Sequence, residues 1–120
     1  MALIPMEYMG GVEGDTITKD SRSDLANATL DRTTCYKKDH IVTVAGRLSG
    51  MTATATGVFF HIPEGFRPIG TTWVIGQYVI NNEFRCAQVV INTNGNVEFP
   101  WSNGAVVTGV AFFATYRDRE

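Results

Sequence analysis

Residues 73–91 of this chain read WVIGQYVINNEFRCAQVVI, and this stretch decides the class of fold that the sequence predicts. Its two halves, residues 73–80 and 84–91, are rich in β-branched and aromatic side chains, which favour strands. Asn-Asn-Glu lies between them and is typical of a tight turn, since asparagine tolerates turn backbone conformations. We therefore expect two strands joined by a turn.

Further strand-forming runs lie on the N-terminal side of this pair. Residues 41–48 (IVTVAGRL) and 54–62 (TATGVFFHI) predict a hairpin whose turn occupies residues 49–52. Because consecutive strand residues point to opposite faces, Phe59 and Phe60 are not expected to enter the same core, and one ring is expected to be exposed in a single chain.

On the C-terminal side, Asn94-Gly95 is the strongest turn signal in the chain and leads into a strand over residues 96–101. The last apolar run, residues 105–116 (AVVTGVAFFATY), predicts a long strand with a bulge at Gly109. Six or more short strands without a crossover helix indicate an all-β domain, an antiparallel β-sandwich or jelly-roll-like head.

The chain has 120 residues, the ordinary size of one domain. Residues 1–35, rich in Gly, Asp, Ser and Thr, are expected to form an N-terminal arm, and residues 36–120 the head domain. Within the arm, residues 23–32 predict either a short helix capped by Ser23 or extended chain.

Composition argues against several classes of protein. The formal net charge is −2 and no block of like charge occurs, so nucleic-acid binding is disfavoured. No apolar run has the length of a membrane span, and no signal peptide is recognised. Cys35 and Cys86 have no zinc-type spacing, and we expect both thiols to be reduced.

Two motifs carry a resemblance to a known family. Residues 62–68 (IPEGFRP) and residues 89–97 (VVINTNGNV) occur in this order. The first resembles the L-P-x-G-[FY]-R-P turn, and the second the V-x-I-x-x-x-G-x-V hairpin, of the C-terminal head domain of bacteriophage tail-fibre and baseplate receptor-binding proteins. The resemblance covers about residues 36–120.

This resemblance implies a β-sandwich head, a homotrimer about a fibre axis and adhesion to bacterial surface saccharides. It also implies a virion tail protein that is assembled in the host cytoplasm beside other virion tail proteins. Two functions remain open: an adhesin head that binds saccharide, and a structural trimeric baseplate or fibre module that contacts other virion proteins without binding glycan.

A saccharide site needs aromatic faces for stacking and polar groups for the sugar hydroxyls. Such groups concentrate at two predicted tips. The candidate ligand-binding residues are Asn81, Asn82, Glu83 and Arg85 at one tip, and Trp101 and Asn103 at the other. A turn role for the asparagines and burial of Trp101 at a subunit contact are the alternatives.

The turn motif itself favours a structural role. Pro63, Gly65, Arg67 and Pro68 are interpreted as a rigid connection that holds the Arg67 guanidinium toward strand-end carbonyls or a neighbouring subunit.

Catalysis is not predicted. Cys35 with His40, and Cys86 with His61, lack a third orienting group, and the carboxylates of the β-rich part fit solvated turn and strand positions. No cofactor and no metal motif is recognised. One alternative depends on symmetry, since a three-fold axis would repeat His40 or His61 three times around a single ion.

Overall fold

The computed structural model describes residues 13–53, 56–100 and 106–119. Nine strands occur there, with one 3-10 helix at Ser23–Leu25. The strands are β1 (Glu13–Gly14), β2 (Thr18–Lys19), β3 (Thr29–Lys38), β4 (Ile41–Ala53), β5 (Gly57–His61), β6 (Thr72–Ile80), β7 (Glu83–Ile91), β8 (Asn96–Phe99) and β9 (Val107–Arg117).

All nine strands belong to one antiparallel sheet, in the order β1-β3-β4-β9-β6-β7-β8-β5-β2. The sheet curls into a half-barrel. The prediction of an all-β antiparallel domain is confirmed, whereas the two-sheet sandwich or jelly roll is not. Buried and exposed residues alternate along a strand in the same way in both architectures, because each buries one face of every strand.

One short segment joins the two edges of the curled sheet. Glu13 pairs with Lys37 at the β3 edge, and Thr18 pairs with His61 at the β5 edge. Five residues of extended chain span at most about 18 Å, so the two edges lie close together. We call residues 13–19 the edge strap. Its Ile17 is fully buried and contacts the inner side of the sheet.

The core fills the concave side of the half-barrel. The rings of Phe60, Phe99 and Phe112 meet there, with centroid separations of 4.9–6.4 Å. Gly46 and Gly76 provide the room, because a Cβ at Gly46 would lie 3.0 Å from Phe60, and one at Gly76 would lie 3.2 Å from Phe99. These two glycines let aromatic rings lie directly on the sheet.

The described part of the predicted arm belongs to this core. Ile17 and Leu25 are fully buried, and β3 (Thr29–Lys38) extends across residue 35, where the sequence predicts the end of the arm. The predicted helix over residues 23–32 is a single 3-10 turn, with Arg22 rather than Ser23 at its N-cap and no side-chain cap. Because most residues of this segment are polar or glycine, its composition does not indicate that Ile17 and Leu25 are buried.

The predicted hairpin at residues 49–52 is wrong, because β4 continues to Ala53. Met51 and Ala53 enter the core, and Gly50 adopts a φ of 72°. The pairing with β9 shifts register between Ser49 and Ala53. Gly50 therefore lies at a bulge within one long strand, and the chain does not reverse direction there.

Phe59 and Phe60 are both fully buried, so the expected exposure of one ring is also wrong. The register of β5 against β8 shifts between Val58 and Phe60. This bulge breaks the strict alternation of faces. The ring of Phe59 packs at 5.6 Å from Phe99, and the Arg22 guanidinium covers it at 4.3 Å.

The remaining strand predictions agree with the structure. Strands β6 and β7 pair along their whole length through a turn at Asn81 and Asn82, where both residues have positive φ, as in a type I′ turn. The predicted bulge at Gly109 is confirmed, since the register of β9 shifts between Gly109 and Val107 on both of its neighbours.

Candidate functional site

A groove of about 620 Å³ crosses the convex face of the sheet over β4, β9 and β6. Two rows of outward side chains form its floor. The strand register places Ala111 between Arg47 and Gln77, and it places Gly109 between Ser49 and Val79. Because Ala111 contributes only a methyl group and Gly109 only a hydrogen, the floor of the groove is deepest along β9. We call this feature the outer groove.

The aromatic wall of the outer groove is Phe84. Phe84 lies in β7 opposite Val79, on the convex face, and is 73% exposed. An aromatic ring at this exposure presents an apolar surface with little neighbouring protein to cover it. Such a ring is suited to stacking on a flat apolar ligand surface.

The opposite wall is cationic. Arg47 and Arg32 line it, and no acidic residue lines the groove within the described part of the chain. Arg47 Nε forms a long ion pair with Asp31 Oδ1 at 4.0 Å, too far for a hydrogen bond, and that buried oxygen has no hydrogen-bond partner among the described residues. Arg47 is therefore loosely held. The groove suits a neutral or anionic ligand better than a cationic one.

Local backbone irregularity brings Arg32 to this wall. The β3 register shifts between Asp31 and Thr34, and Arg32 has a φ of 50°. Such bulges re-aim a side chain relative to the regular alternation of the strand.

The tip predicted at residues 81–85 is divided between two faces. Asn82 lines the outer groove, and Asn81 is its exposed neighbour in the turn. Glu83 and Arg85 alternate with Phe84, so they point to the opposite side of β7, and they pair with each other at 3.2 Å. The structure therefore brings only Asn82 of this tip into the groove.

The second predicted tip, with Trp101 and Asn103, lies outside the described residues. Sequence reasoning missed Phe84, Arg47, Arg32 and Gln77 as site residues. Strict alternation from buried Val89 would have placed Phe84 on the outer face. The approach of Arg47 and Gln77 depends on β9 lying between β4 and β6, which no local pattern encodes.

The turn motif at residues 63–68 is tied to the end of β9. Arg67 Nε donates to the Ile62 carbonyl at 3.0 Å, and the Tyr116 hydroxyl donates to the Phe66 carbonyl at 2.6 Å. Gly65 has a φ of 93°, a conformation that favours glycine. Pro68 forms an isolated bridge with Asp118. Arg67 thus contacts the carbonyl that follows β5. The motif holds this end of β5 against the end of β9 through the Tyr116 hydrogen bond and the Pro68–Asp118 bridge.

A buried carboxylate, Asp118, adds further contacts at the end of β9. Asp118 is fully buried, and it accepts hydrogen bonds from Lys37 Nζ and His40 Nδ1, each at 3.0 Å. Burial opposes ionisation of Asp118, but the hydrogen bonds and charges of Lys37 and His40 hold its pKa below the usual range. This cluster ties β3 and the β3–β4 turn to the C-terminal strand.

The thiols and imidazoles do not form pairs. His61 Nε2 lies 2.5 Å from Asp20, and its Nδ1 lies 3.0 Å from Asn96, while His40 is engaged by Asp118. Both cysteines are free. Burial, aided by the charge of Asp15, raises the pKa of the Cys35 thiol to about 11.

Within residues 13–53, 56–100 and 106–119, no group of three or more His, Cys, Asp or Glu side chains could hold a metal ion. In the same ranges no helix has the length and apolar character needed to cross a membrane. No protein-family model matches this sequence, and no curated protein matches it at a significant level.

Proposed function

We propose that this chain is the receptor-binding head of a bacteriophage tail fibre or baseplate, and that it attaches the virion to saccharides on the bacterial surface. The motif resemblance over residues 36–120 supports this class of protein, and a sandwich-like head is part of that proposal. The observation that carries the binding function is the outer groove, which combines one exposed aromatic ring with several hydrogen-bonding side chains.

The chemistry of the outer groove suits a sugar ring. The exposed face of Phe84 offers stacking to the apolar side of a pyranose, a contact worth about 1 kcal/mol beyond simple burial. Arg47 and Gln77 supply donors, and Asn82 supplies both a donor and an acceptor for hydroxyl groups. The low floor at Ala111 admits a ring between these walls.

A single groove of this kind binds weakly, because it is open and has only one aromatic wall. Useful adhesion therefore depends on several linked copies, which raise avidity by roughly 10² to 10⁴ without new contacts. A homotrimer, repeated on one virion, provides such copies.

The test compares the groove with the tip on the other side of β7. Phe84→Ala and Arg47→Ala are each expected to weaken binding to host polysaccharide about tenfold, as loss of a charged or stacking contact does. Arg85→Ala is the matched control, since Arg85 is also an exposed arginine but does not line the groove. Binding is measured by adsorption to host cells and by titration with purified polysaccharide.

Loss of binding in Arg85→Ala, with retention in the two groove variants, would move the site to the predicted tip. Failure of the unaltered protein to bind any host polysaccharide would favour the second candidate function, a structural trimeric module whose partners are other virion tail proteins.

Exposed apolar side chains on the convex face favour association of this chain with other protein subunits. Trp73, Ile75 and Phe113 lie on the convex face beside the outer groove and are 60%, 69% and 61% exposed. Because a large aromatic side chain has roughly 200 Å² of surface, these three residues present roughly 400 Å² of apolar area. That is about half of what one partner buries in a standard interface. We assign this apolar face to contacts between copies of the chain in the trimer.

A further inference from the structure

We propose a second binding site, specific for an oxyanion such as a carboxylate or phosphate group, in a cleft beside the end of β9. The cleft has a volume of about 300 Å³ and is lined by Glu64, Gly65, Arg67 and Arg119. We call it the terminal cleft.

Two arginine residues, Arg67 and Arg119, line this small space. The backbone of Arg119 donates to the Arg67 carbonyl at 3.1 Å, so the two residues are neighbours across the cleft. Neither arginine has a carboxylate within 4.0 Å among the described residues, although Glu64 lines the same cleft. Adjacent unpaired cations repel each other, and an anion between them relieves that repulsion.

Within the described part of the chain, the carboxylate that follows Glu64 in importance here is Asp118, and it does not supply the missing charge. Asp118, next to Arg119, is fully buried and accepts hydrogen bonds from Lys37 and His40. Its charge is therefore directed to the opposite side of the strand end. Counted over the described residues, two arginines and one glutamate line the terminal cleft, an excess of positive charge.

The orientation of Arg67 is preset for a ligand. Its Nε donates to the Ile62 carbonyl at 3.0 Å, and its position between Phe66 and Pro68 stiffens the backbone. No protein hydrogen bond involves its two terminal nitrogens in the described chain. A guanidinium held through Nε presents those nitrogens as a paired donor, the arrangement that suits a carboxylate or phosphate.

Arg119 has donors to spare as well. One terminal nitrogen donates to the Thr93 carbonyl at 3.2 Å, which fixes the side chain along the cleft. The guanidinium has five N–H donors, so four remain. Together the two arginines can hold one oxyanion from two sides.

The terminal cleft and the outer groove are separate sites. Residues of β9 as far as Phe112 line the outer groove, whereas Arg119 follows the end of β9 at Arg117. The seven residues from Phe112 to Arg119 correspond to roughly 23 Å of extended chain. An oxyanion bound at Arg119 does not need the groove, so the two proposals succeed or fail independently.

The experiment titrates the full chain with sodium phosphate and with sodium glucuronate at constant ionic strength, and follows the arginine Nε–Hε resonances by NMR. We expect saturable shifts of Arg67 and Arg119. Arg119→Gln is expected to weaken binding about tenfold, as loss of a charge-assisted contact does. Arg117→Gln is the matched control, since it removes the same charge two residues away, outside the cleft.

Equal weakening in both variants would overturn the proposal, because it would indicate diffuse attraction by net charge. Absence of saturable shifts with both anions would also overturn it. Glu64→Gln gives a test in the opposite direction, since removal of this carboxylate is expected to tighten binding and leaves both arginines intact. Tighter binding of phosphate would indicate that the cleft prefers a phosphate group, and tighter binding of glucuronate that it prefers a carboxylate.

Discussion

Among single residues, Asp118 has the most demanding environment, because a fully buried carboxylate depends on its hydrogen-bond partners Lys37 and His40. Asp118→Asn is expected to lower the free energy of unfolding at pH 7 by about 1–3 kcal/mol, since Lys37 and His40 lose a charged acceptor. Chemical denaturation followed by fluorescence measures this loss. Asp39→Asn, an exposed neighbour, is the control and should change little.

The pH dependence has a defined sign. The pKa of Asp118 is lowered in the folded protein. Its contribution to the unfolding free energy is therefore complete at pH values above the pKa of an unfolded aspartate, about 3.9. That contribution is lost as the pH falls through the lower, folded pKa. The unfolding free energy of Asp118→Asn should therefore fall less steeply on acidification than that of the unaltered protein. Parallel curves would contradict the role given to this carboxylate.

Among the strands, β6 depends on close contact between its backbone and the core. A Cβ at Gly76 would lie 2.5 Å from Val89 and 2.8 Å from the backbone oxygen of Ala111. Because a sheet backbone cannot yield as a side chain tip does, Gly76→Ala is expected to cost about 1–3 kcal/mol of stability. Thermal unfolding of the variant measures the cost.

The matched control for this strand is Gly70→Ala, since nothing lies within 4 Å of a Cβ at that position. Its effect should stay within about 0.5 kcal/mol. If the two substitutions destabilise equally, the cost reflects the loss of glycine in general and not the packing of Phe99 and Val89 on β6.

For the whole molecule, the apolar face formed by Trp73, Ile75 and Phe113 predicts association. We expect the purified chain to be a homotrimer by multi-angle light scattering, and Phe113→Gln to shift it toward the 13.2 kDa monomer without loss of folding. Ile69→Gln removes a similarly exposed apolar side chain from the connection before β6, outside the three strand positions that form this face, and should leave the trimer intact. A monomeric unaltered protein at micromolar concentration would contradict this prediction.

The sequence alone determined the strand content, the β6–β7 turn, the Asn94-Gly95 turn and the bulge of β9. These features depend on interactions between near neighbours in the chain. Asn81 and Asn82 adopt positive φ because of their own side-chain chemistry, and alternation along β7 assigns Val89 and Phe84 to opposite faces. Of the candidate site, only Asn82 was within reach of such reasoning.

Only the tertiary structure decided how the strands are ordered and what they bring together. Ile17 lies in a polar segment, between the two points at which the edge strap pairs with the sheet edges, and it is fully buried there. Arg47 and Gln77 face each other across Ala111 because β9 pairs with both β4 and β6. These contacts join residues far apart in the chain, and their energy depends on the order and curvature of the strands in the sheet, which a local pattern of side chains does not specify.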